Sequence, residues 1–251
     1  MKKLNKFKMG TSEKTNSRPD QILSSSSSFA VTEAYKTART NLLYTNNYDG
    51  CNIIAVTSSY PGEGKTITCV NMAICLAQSG KKVVIIDSDM RKPQISETLG
   101  IEKTPGLSEI LAGFVKINDE EGNCCRQKTH IENLDVISAG KTPPNPSELL
   151  AGSRLKDLLD ALSSEYDYIM IDTPPTLVVA DSMILKNHIN GYIVVVRSDV
   201  SSIDIVNETV SKLRQIDAKI FGFILNGQKV KTSKRYSRYS RYGKYSKYSK
   251  Y

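Results

Sequence analysis

Residues 52–66 have the sequence Asn-Ile-Ile-Ala-Val-Thr-Ser-Ser-Tyr-Pro-Gly-Glu-Gly-Lys-Thr, and this stretch decides the fold. The first seven residues predict a short buried strand, residues 59–66 predict a loop, and residues 67–78 predict an apolar helix. A strand, a glycine-rich loop and a helix in this order form a phosphate-binding arrangement, because backbone N–H groups and the helix N-terminus point at the anion. We call residues 59–66 the phosphate loop.

The phosphate loop contains the candidate nucleotide-binding groups. Its backbone at Gly62, Glu63 and Gly64 is expected to approach the phosphates closely. Lys65 is expected to reach the β and γ phosphates, and the hydroxyl of Thr66 to coordinate magnesium. The usual first glycine of this pattern is a serine here, so an ordinary strand-to-helix turn is the alternative interpretation of the loop taken alone.

Two further apolar runs end in aspartates. Asp87 and Asp89 follow the first run, with Arg91 just beyond them, and Asp172 follows the second. Carboxyl ends of parallel strands lie at the edge where open α/β sheets bind ligands. Magnesium keeps several waters and needs few protein oxygens, so Thr66, Asp87 and Asp172 form the predicted metal site. Each aspartate alone would more often be a turn former, but together with the loop they favour a nucleotide site.

Strands and helices alternate along the rest of the chain. This alternation predicts an α/β fold with a doubly wound, mostly parallel sheet. Together with the phosphate loop it indicates the P-loop NTPase fold. We expect further strands near residues 134–138, 191–197 and 219–226, and further helices near residues 30–43, 147–162, 179–186 and 201–216.

The two ends of the chain differ in composition from the part between them. Residues 1–28 begin lysine-rich and end in five consecutive serines, and residues 229–251 have a tyrosine at every third position near the end. Both segments have too little apolar surface to offset the entropy of ordering, so we predict flexible tails around one domain at residues 29–228. The exposed phenols of the C-terminal tail resemble phosphorylation sites. They are Tyr236, Tyr239, Tyr242, Tyr245, Tyr248 and Tyr251.

The net charge of +8 comes from the C-terminal tail. Nine of the chain's 34 lysines and arginines lie in residues 229–251, which contain no acidic residue. A basic segment with interleaved aromatic residues is also compatible with single-stranded nucleic acid or an anionic membrane. No run approaches the roughly 20 apolar residues that span a bilayer, so we expect a cytoplasmic protein.

Taken together, these motifs resemble the bacterial tyrosine kinases of capsule and exopolysaccharide synthesis, in the stand-alone cytoplasmic form of Gram-positive bacteria. The resemblance covers about residues 30–251. It rests on the tyrosine cluster and on four motifs: YPGEGKT at residues 60–66, IDSDMRKP at 86–93, SAGKTPPNPSELL at 138–150 and IDTPP at 171–175. It implies an enzyme that uses ATP and magnesium to autophosphorylate its own tyrosine cluster.

The resemblance also implies partners. The expected activator is the cytoplasmic segment of a membrane protein that governs polysaccharide chain length, and this partner would recruit the kinase to the inner face of the cell membrane. A cognate phosphotyrosine phosphatase is expected, and nucleic acid is not. A homo-oligomeric ring is implied through Glu33, Lys36 and Arg39, where Lys36 stands in place of an arginine of the family pattern. The alternative is a solvated helix face with i,i+3 charge pairs.

The implied mechanism is phosphoryl transfer by positioning and charge neutralisation. A tyrosine phenol has a pKa of about 10, so a base must take its proton, and the sequence does not choose between Asp87 and Asp89. Arg91 either neutralises charge on the transferred group or forms a structural salt bridge. The resemblance suggests that Asn226 reads the adenine edge. The predicted catalytic residues are Lys65, Asp87, Asp89, Arg91 and Asp172.

Two other classes of protein share parts of this pattern. Partition and septum-positioning ATPases have the same loop and aspartates, but they carry a second lysine at the position of Tyr60. A nucleic-acid-binding ATPase would explain the basic tail but not the strict period of its tyrosines. The kinase interpretation accounts both for the absence of the second lysine and for the period of the tyrosines.

Overall fold

The structure of the chain is a computed structural model that describes residues 21–45, 49–115 and 125–228. Within these residues one sheet contains the strands β1 (Asn52–Ser58), β2 (Val83–Asp87), β3 (Arg126–Lys128), β4 (Leu134–Ile137), β5 (Tyr168–Asp172), β6 (Gly191–Arg197) and β7 (Ile220–Asn226). Their order across the sheet is β3-β4-β2-β5-β1-β6-β7. All neighbouring pairs are parallel except β3 and β4. The predicted doubly wound, mostly parallel fold is confirmed.

Helices cover both faces of the sheet. On β2, Val83 and Ile85 belong to one apolar cluster and Val84 and Ile86 to the other, because successive side chains point to opposite faces. Both faces are therefore buried, which explains the continuous apolar runs of the sequence. The helices are α1 (Phe29–Thr45), α2 (Lys65–Ala77), α3 (Ile95–Leu99), α4 (Leu107–Ala112), α5 (Pro146–Ala151), α6 (Ser153–Ser163), α7 (Asp181–Ile184) and α8 (Ile203–Gln215), with a 3-10 turn at Leu185–His188.

Some elements differ from the sequence-based expectation. The helix predicted at residues 147–162 is two helices, because Gly152 between them is extended, with φ −73° and ψ 159°. Strand β3 and the short helices α3 and α4 were not predicted, since they have three, five and six residues and are too short to show a period.

Residues before position 29, where the sequence analysis placed the start of the domain, also pack against the core. Leu23 is buried in the core, and its backbone N–H donates to Asn71 Oδ1 at 2.8 Å. Asn71 Nδ2 in turn donates to the carbonyl of Gln21 at 3.0 Å. The side-chain amide of Asn71 thus forms two hydrogen bonds with the backbone of residues 21–23, as a neighbouring strand would. The serine-rich composition of this segment does not indicate such a contact. Residues 1–20 and the tyrosine tail at 229–251 lie outside the described residues.

Candidate nucleotide site

The phosphate loop connects β1 to α2. Gly62 and Gly64 have φ values of 86° and 93°, in the left-handed region that favours glycine. This backbone turns successive N–H groups toward one side, which suits an anion. A Cβ on Gly64 would lie 2.1 Å from Asn226 Nδ2, so a larger residue there would displace the Asn226 amide as well as strain the backbone.

Lys65 and Thr66 meet the aspartates at the carboxyl ends of β2 and β5. Lys65 Nζ lies 2.9 Å from Asp89 Oδ2 and 3.7 Å from Asp172 Oδ2. The hydroxyl of Thr66 donates to Asp172 Oδ2 at 2.7 Å. Burial opposes the charge of Lys65, but the carboxylates of Asp172 and Asp89 raise the pKa of its ammonium group above the ordinary value. The sheet therefore brings together four of the predicted site residues.

Asp87 has a different environment from Asp89. Its two oxygens accept hydrogen bonds from the backbone N–H groups of Asp89 and Ile95, both at 3.1 Å. Burial and then the charge of Asp172 raise the pKa of Asp87 to about 8. Asp87 thus shapes the turn after β2, whereas Asp89 borders the cavity in front of the phosphate loop.

Asp172 has one oxygen that suits a cation. Its Oδ1 is buried and has no hydrogen-bond partner among the described residues. Burial raises the pKa of Asp172 to about 6, against the opposing effects of Lys65 and Thr66. An unpaired carboxylate oxygen beside a hydroxyl is a hard oxygen donor set, as magnesium prefers. No group of three His, Cys, Asp or Glu side chains in the described ranges could hold a metal alone, so phosphates and water would complete its coordination.

The cavity in front of the phosphate loop has a volume of about 980 Å³. The residues that line it include Lys65, Asp89, Arg91, Arg197 and Asn226. Ligand pockets usually measure about 300–1,000 Å³, so this cavity is large enough for a nucleotide.

Arg91 forms the structural salt bridge that was one of its two predicted roles. Its Nε donates to Asp181 Oδ2 at 2.7 Å, and its Nη2 donates to Asp181 Oδ1 at 3.2 Å. Ser147 also donates to Asp181 Oδ1, at 2.6 Å. Although burial opposes it, the hydrogen bonds from Arg91 and Ser147 lower the pKa of Asp181. These contacts fix the loop after β2 against α5 and α7. A role for Arg91 at the transferred group stays a prediction.

Asn226 has both ends of its amide engaged with backbone groups. Its Nδ2 donates to the carbonyl of Glu63 at 3.0 Å, and its Oδ1 accepts from the N–H of Gly227 at 2.8 Å. The observed role of Asn226 is structural, because it links the end of β7 to the phosphate loop. Recognition of the adenine edge by Asn226 stays a prediction.

Sequence reasoning missed two residues at the phosphate loop, Arg197 and Ser201. Arg197 donates to the carbonyl of Gly62 at 2.6 Å, and Ser201 donates to the carboxylate of Glu63. Arg197 ends β6, so the strand-end argument that found the aspartates applies to it as well. Ser201 carries no signal in the sequence.

The three residues predicted to join subunits lie on α1. Lys36 Nζ pairs with Glu33 Oε1 at 2.9 Å within the helix, which is the i,i+3 pair of the alternative interpretation. Arg39 Nη1 donates to the carbonyl of Cys75 at 3.1 Å and so holds α1 against α2. A ring contact through these residues stays a prediction.

A family model described as an AAA domain matches residues 51–222. The tyrosine-protein kinase YwqD of Bacillus subtilis is 36% identical over 204 residues, which cover 81% of this chain and 84% of that protein. The chain belongs to the bacterial tyrosine-protein kinase family. The putative tyrosine-protein kinase CapB of Staphylococcus aureus is 32% identical, covering 82% of this chain and 88% of that protein.

Other kinases of the family are longer. The tyrosine-protein kinase wzc of Salmonella typhimurium is 39% identical over 194 residues, which are 77% of this chain but 26% of that protein. This chain therefore spans about a quarter of the length of that relative.

No described helix is both long and apolar enough to cross a membrane.

Solved structures agree with the family. The kinase domain of the Escherichia coli tyrosine kinase ETK has a TM-score of 0.74 and 33% identity, covering 80% of this chain and 77% of that one. The chimerical protein CapA2B2 has a TM-score of 0.71 and 32% identity, covering 77% and 83%. The septum site-determining protein MinD of Pyrococcus horikoshii, complexed with Mg-ADP, has a TM-score of 0.58 and 26% identity, covering 70% of each chain. The septum-positioning class thus shares the fold at a greater distance.

Proposed function

We propose that this protein is an ATP-dependent protein tyrosine kinase that phosphorylates its own C-terminal tyrosine cluster and thereby regulates capsule or exopolysaccharide synthesis. The observation that carries the proposal is the convergence of Lys65, Thr66, Asp89 and Asp172 in front of the phosphate loop. Family membership adds the protein tyrosine as the acceptor, and the sequence offers six tyrosines in its last sixteen residues.

Each side chain has a role that its contacts support. Lys65 holds the β and γ phosphates, which compete with Asp89 and Asp172 for its ammonium group. Thr66 and Asp172, together with Asp87, would hold magnesium directly or through water. When bound, the metal neutralises charge on the phosphates.

The contacts favour Asp89 over Asp87 as the base for the tyrosine phenol. Both oxygens of Asp87 accept backbone N–H groups, whereas Asp89 borders the cavity. Phosphates that bind Lys65 would free Asp89 Oδ2 to accept the phenol proton.

The proposal includes partners of two kinds. We infer that the cytoplasmic segment of a membrane chain-length regulator activates the kinase and recruits it to the membrane, and that a phosphatase reverses its phosphorylation. We further infer a ring of subunits that uses Glu33, Lys36 and Arg39. In support, Glu33 and Lys36 have side chains 44% and 48% exposed, so a neighbouring subunit can reach them.

Incubation with labelled ATP tests the activity. The purified protein is incubated with magnesium, with and without the cytoplasmic segment of a candidate membrane partner, and phosphosites are mapped by mass spectrometry. We expect label on the tail tyrosines, more of it with the partner, and none after magnesium is chelated. ATP hydrolysis without labelled protein under all conditions would instead support the septum-positioning class of ATPase.

Phosphorylation is expected to occur between subunits. A coil of about 23 residues spans roughly 25–30 Å, which is enough to reach a neighbouring site. Lys65→Met protein with a full tail is mixed with active protein truncated after Val230. We expect label on the Lys65→Met chain, which contributes tyrosines but no competent site. An unlabelled Lys65→Met chain, beside intact enzyme that labels itself normally, would mean transfer within one chain.

A further inference from the structure

The outer side of the phosphate loop is held by the ends of β6 and β7. Arg197 and Asn226 are register partners at these two strand ends. Arg197 Nη1 donates to the carbonyl of Gly62 at 2.6 Å, and Asn226 Nδ2 donates to the carbonyl of Glu63 at 3.0 Å. Two successive carbonyl groups of the loop are therefore bound by side chains from outside the loop.

These contacts orient the N–H groups of the loop. A trans peptide directs its carbonyl and its N–H to opposite sides, so a fixed carbonyl also fixes the N–H that follows it. Arg197 thus orients the N–H of Glu63, and Asn226 orients the N–H of Gly64. In the described part of the chain neither N–H donates to a protein acceptor. Both are available to an anion that enters the loop.

The side chain of Glu63 provides a second attachment. Glu63 is only 2% exposed, and its carboxylate oxygens accept hydrogen bonds from the N–H of Tyr60 at 3.0 Å and from the hydroxyl of Ser201. Among the described residues no cation forms an ion pair with it. A buried carboxylate needs hydrogen bonds to offset its lost hydration, so the Ser201 hydroxyl keeps Glu63 folded back under the loop.

A third attachment holds the start of the loop. Thr209 of α8 lies with its hydroxyl 2.8 Å from the hydroxyl of Ser59. The segment from Arg197 to Thr209 therefore contacts the phosphate loop at its beginning and at its middle, although it is more than a hundred residues away in the chain.

We propose that Arg197 and Ser201 are positioning residues for nucleotide binding. Their hydrogen bonds to Gly62 and Glu63 hold the phosphate loop in the conformation in which the N–H groups of Glu63 and Gly64 face the phosphates. Arg197 also lines the cavity, and the role assigned to it here is to orient the loop. The inference deepens the proposed function and rests on its nucleotide-binding step. Without these contacts the loop would become ordered only when nucleotide binds. The free energy needed to order it would weaken the affinity for nucleotide. Ground state and transition state are affected alike, so KM for ATP rises while kcat changes little.

The test uses four variants of the full chain. Arg197→Met and Ser201→Ala remove the two side-chain donors, and Arg197→Lys keeps a charged donor. Arg214→Met is the matched control, because Arg214 is an exposed arginine in the last turn of α8 that forms no hydrogen bond or ion pair with the loop in the described part of the chain. Affinity for Mg-ADP is measured by competition with a fluorescent nucleotide, together with KM and kcat for ATP and the melting temperature without nucleotide.

We expect Arg197→Met and Ser201→Ala each to weaken Mg-ADP binding by about tenfold, the effect of one hydrogen bond to a charged group. KM for ATP should rise by a similar factor and kcat should stay within about twofold. Arg197→Lys should recover part of the affinity, and the nucleotide-free melting temperature of Arg197→Met should stay within about 2 °C of the wild type.

Two results would overturn the inference. If Arg197→Met and Ser201→Ala bind Mg-ADP as tightly as Arg214→Met, the contacts do not position the loop. If they lower the melting temperature alone, their role is structural. ADP binding needs no tyrosine acceptor, so these results leave the proposed kinase intact. A wild type that binds no nucleotide would instead remove the proposed function together with the inference.

Discussion

Lys65→Met is expected to abolish tyrosine phosphorylation, a loss of at least about 10²-fold. Lys65 is the cation proposed to bridge the β and γ phosphates, and methionine fills similar space without charge. The measurement is the rate at which the purified variant labels its own tail with ATP and magnesium, relative to the wild type.

The control must separate chemistry from folding. Lys65 lies between two carboxylates, with Nζ 2.9 Å from Asp89 and 3.7 Å from Asp172, and removing it leaves them without their cation. A circular dichroism spectrum and a melting curve therefore accompany each assay. Lys81→Met is the matched variant, since this partly exposed lysine precedes β2 at the other end of the sheet and its Nζ lies 4.0 Å from Asp167 Oδ1. Folded Lys65→Met protein that labels its tail at the wild-type rate would remove the proposed site.

Asp172→Asn is expected to change activity and stability in opposite directions. Activity with magnesium should fall by about 10²-fold or more, because the amide replaces the anionic oxygen donor with a neutral group. Stability of the nucleotide-free protein at pH 8 should rise, because burial raises the pKa of Asp172 to about 6 and the wild type must keep a buried charge at that pH. Functional sites commonly lower the stability of the folded protein in this way.

The pH dependence follows from the direction of this shift. The folded pKa of Asp172 lies above the ordinary value of 3.8, so its contribution to stability is fully present below about pH 3.8 and is lost as pH rises through about 6. The advantage of Asp172→Asn should therefore be small at pH 4 and should grow toward pH 8. Urea unfolding at several pH values, without nucleotide or metal, measures it.

The control for this variant is an exposed aspartate. Asp160→Asn on α6, where the side chain of Asp160 is 63% exposed, should show no comparable growth with pH. An Asp172→Asn protein that is less stable than the wild type at pH 8 would contradict the stability prediction. One that keeps wild-type phosphorylation would contradict the metal-binding role.

The predicted strands were recovered most accurately where they are buried on both faces. β1 and β6 have the predicted bounds, because helices on both sides require a continuous apolar run that ends where the loop begins. The helix across Gly152 was predicted wrongly because its apolar period continues through the break. The packing of Leu23 could not be predicted, because it involves the side chain of Asn71, which lies 48 residues away.

The sequence by itself determined the phosphate loop, the aspartates at the strand ends and the tyrosine period of the tail, because local spacing encodes local geometry. The tertiary structure alone decided which groups these residues meet. Arg91 pairs with Asp181 across 90 residues, and Arg197 reaches Gly62 across 135. Such contacts depend on the order in which strands lie side by side, and the apolar period of a strand is the same whichever neighbour it pairs with.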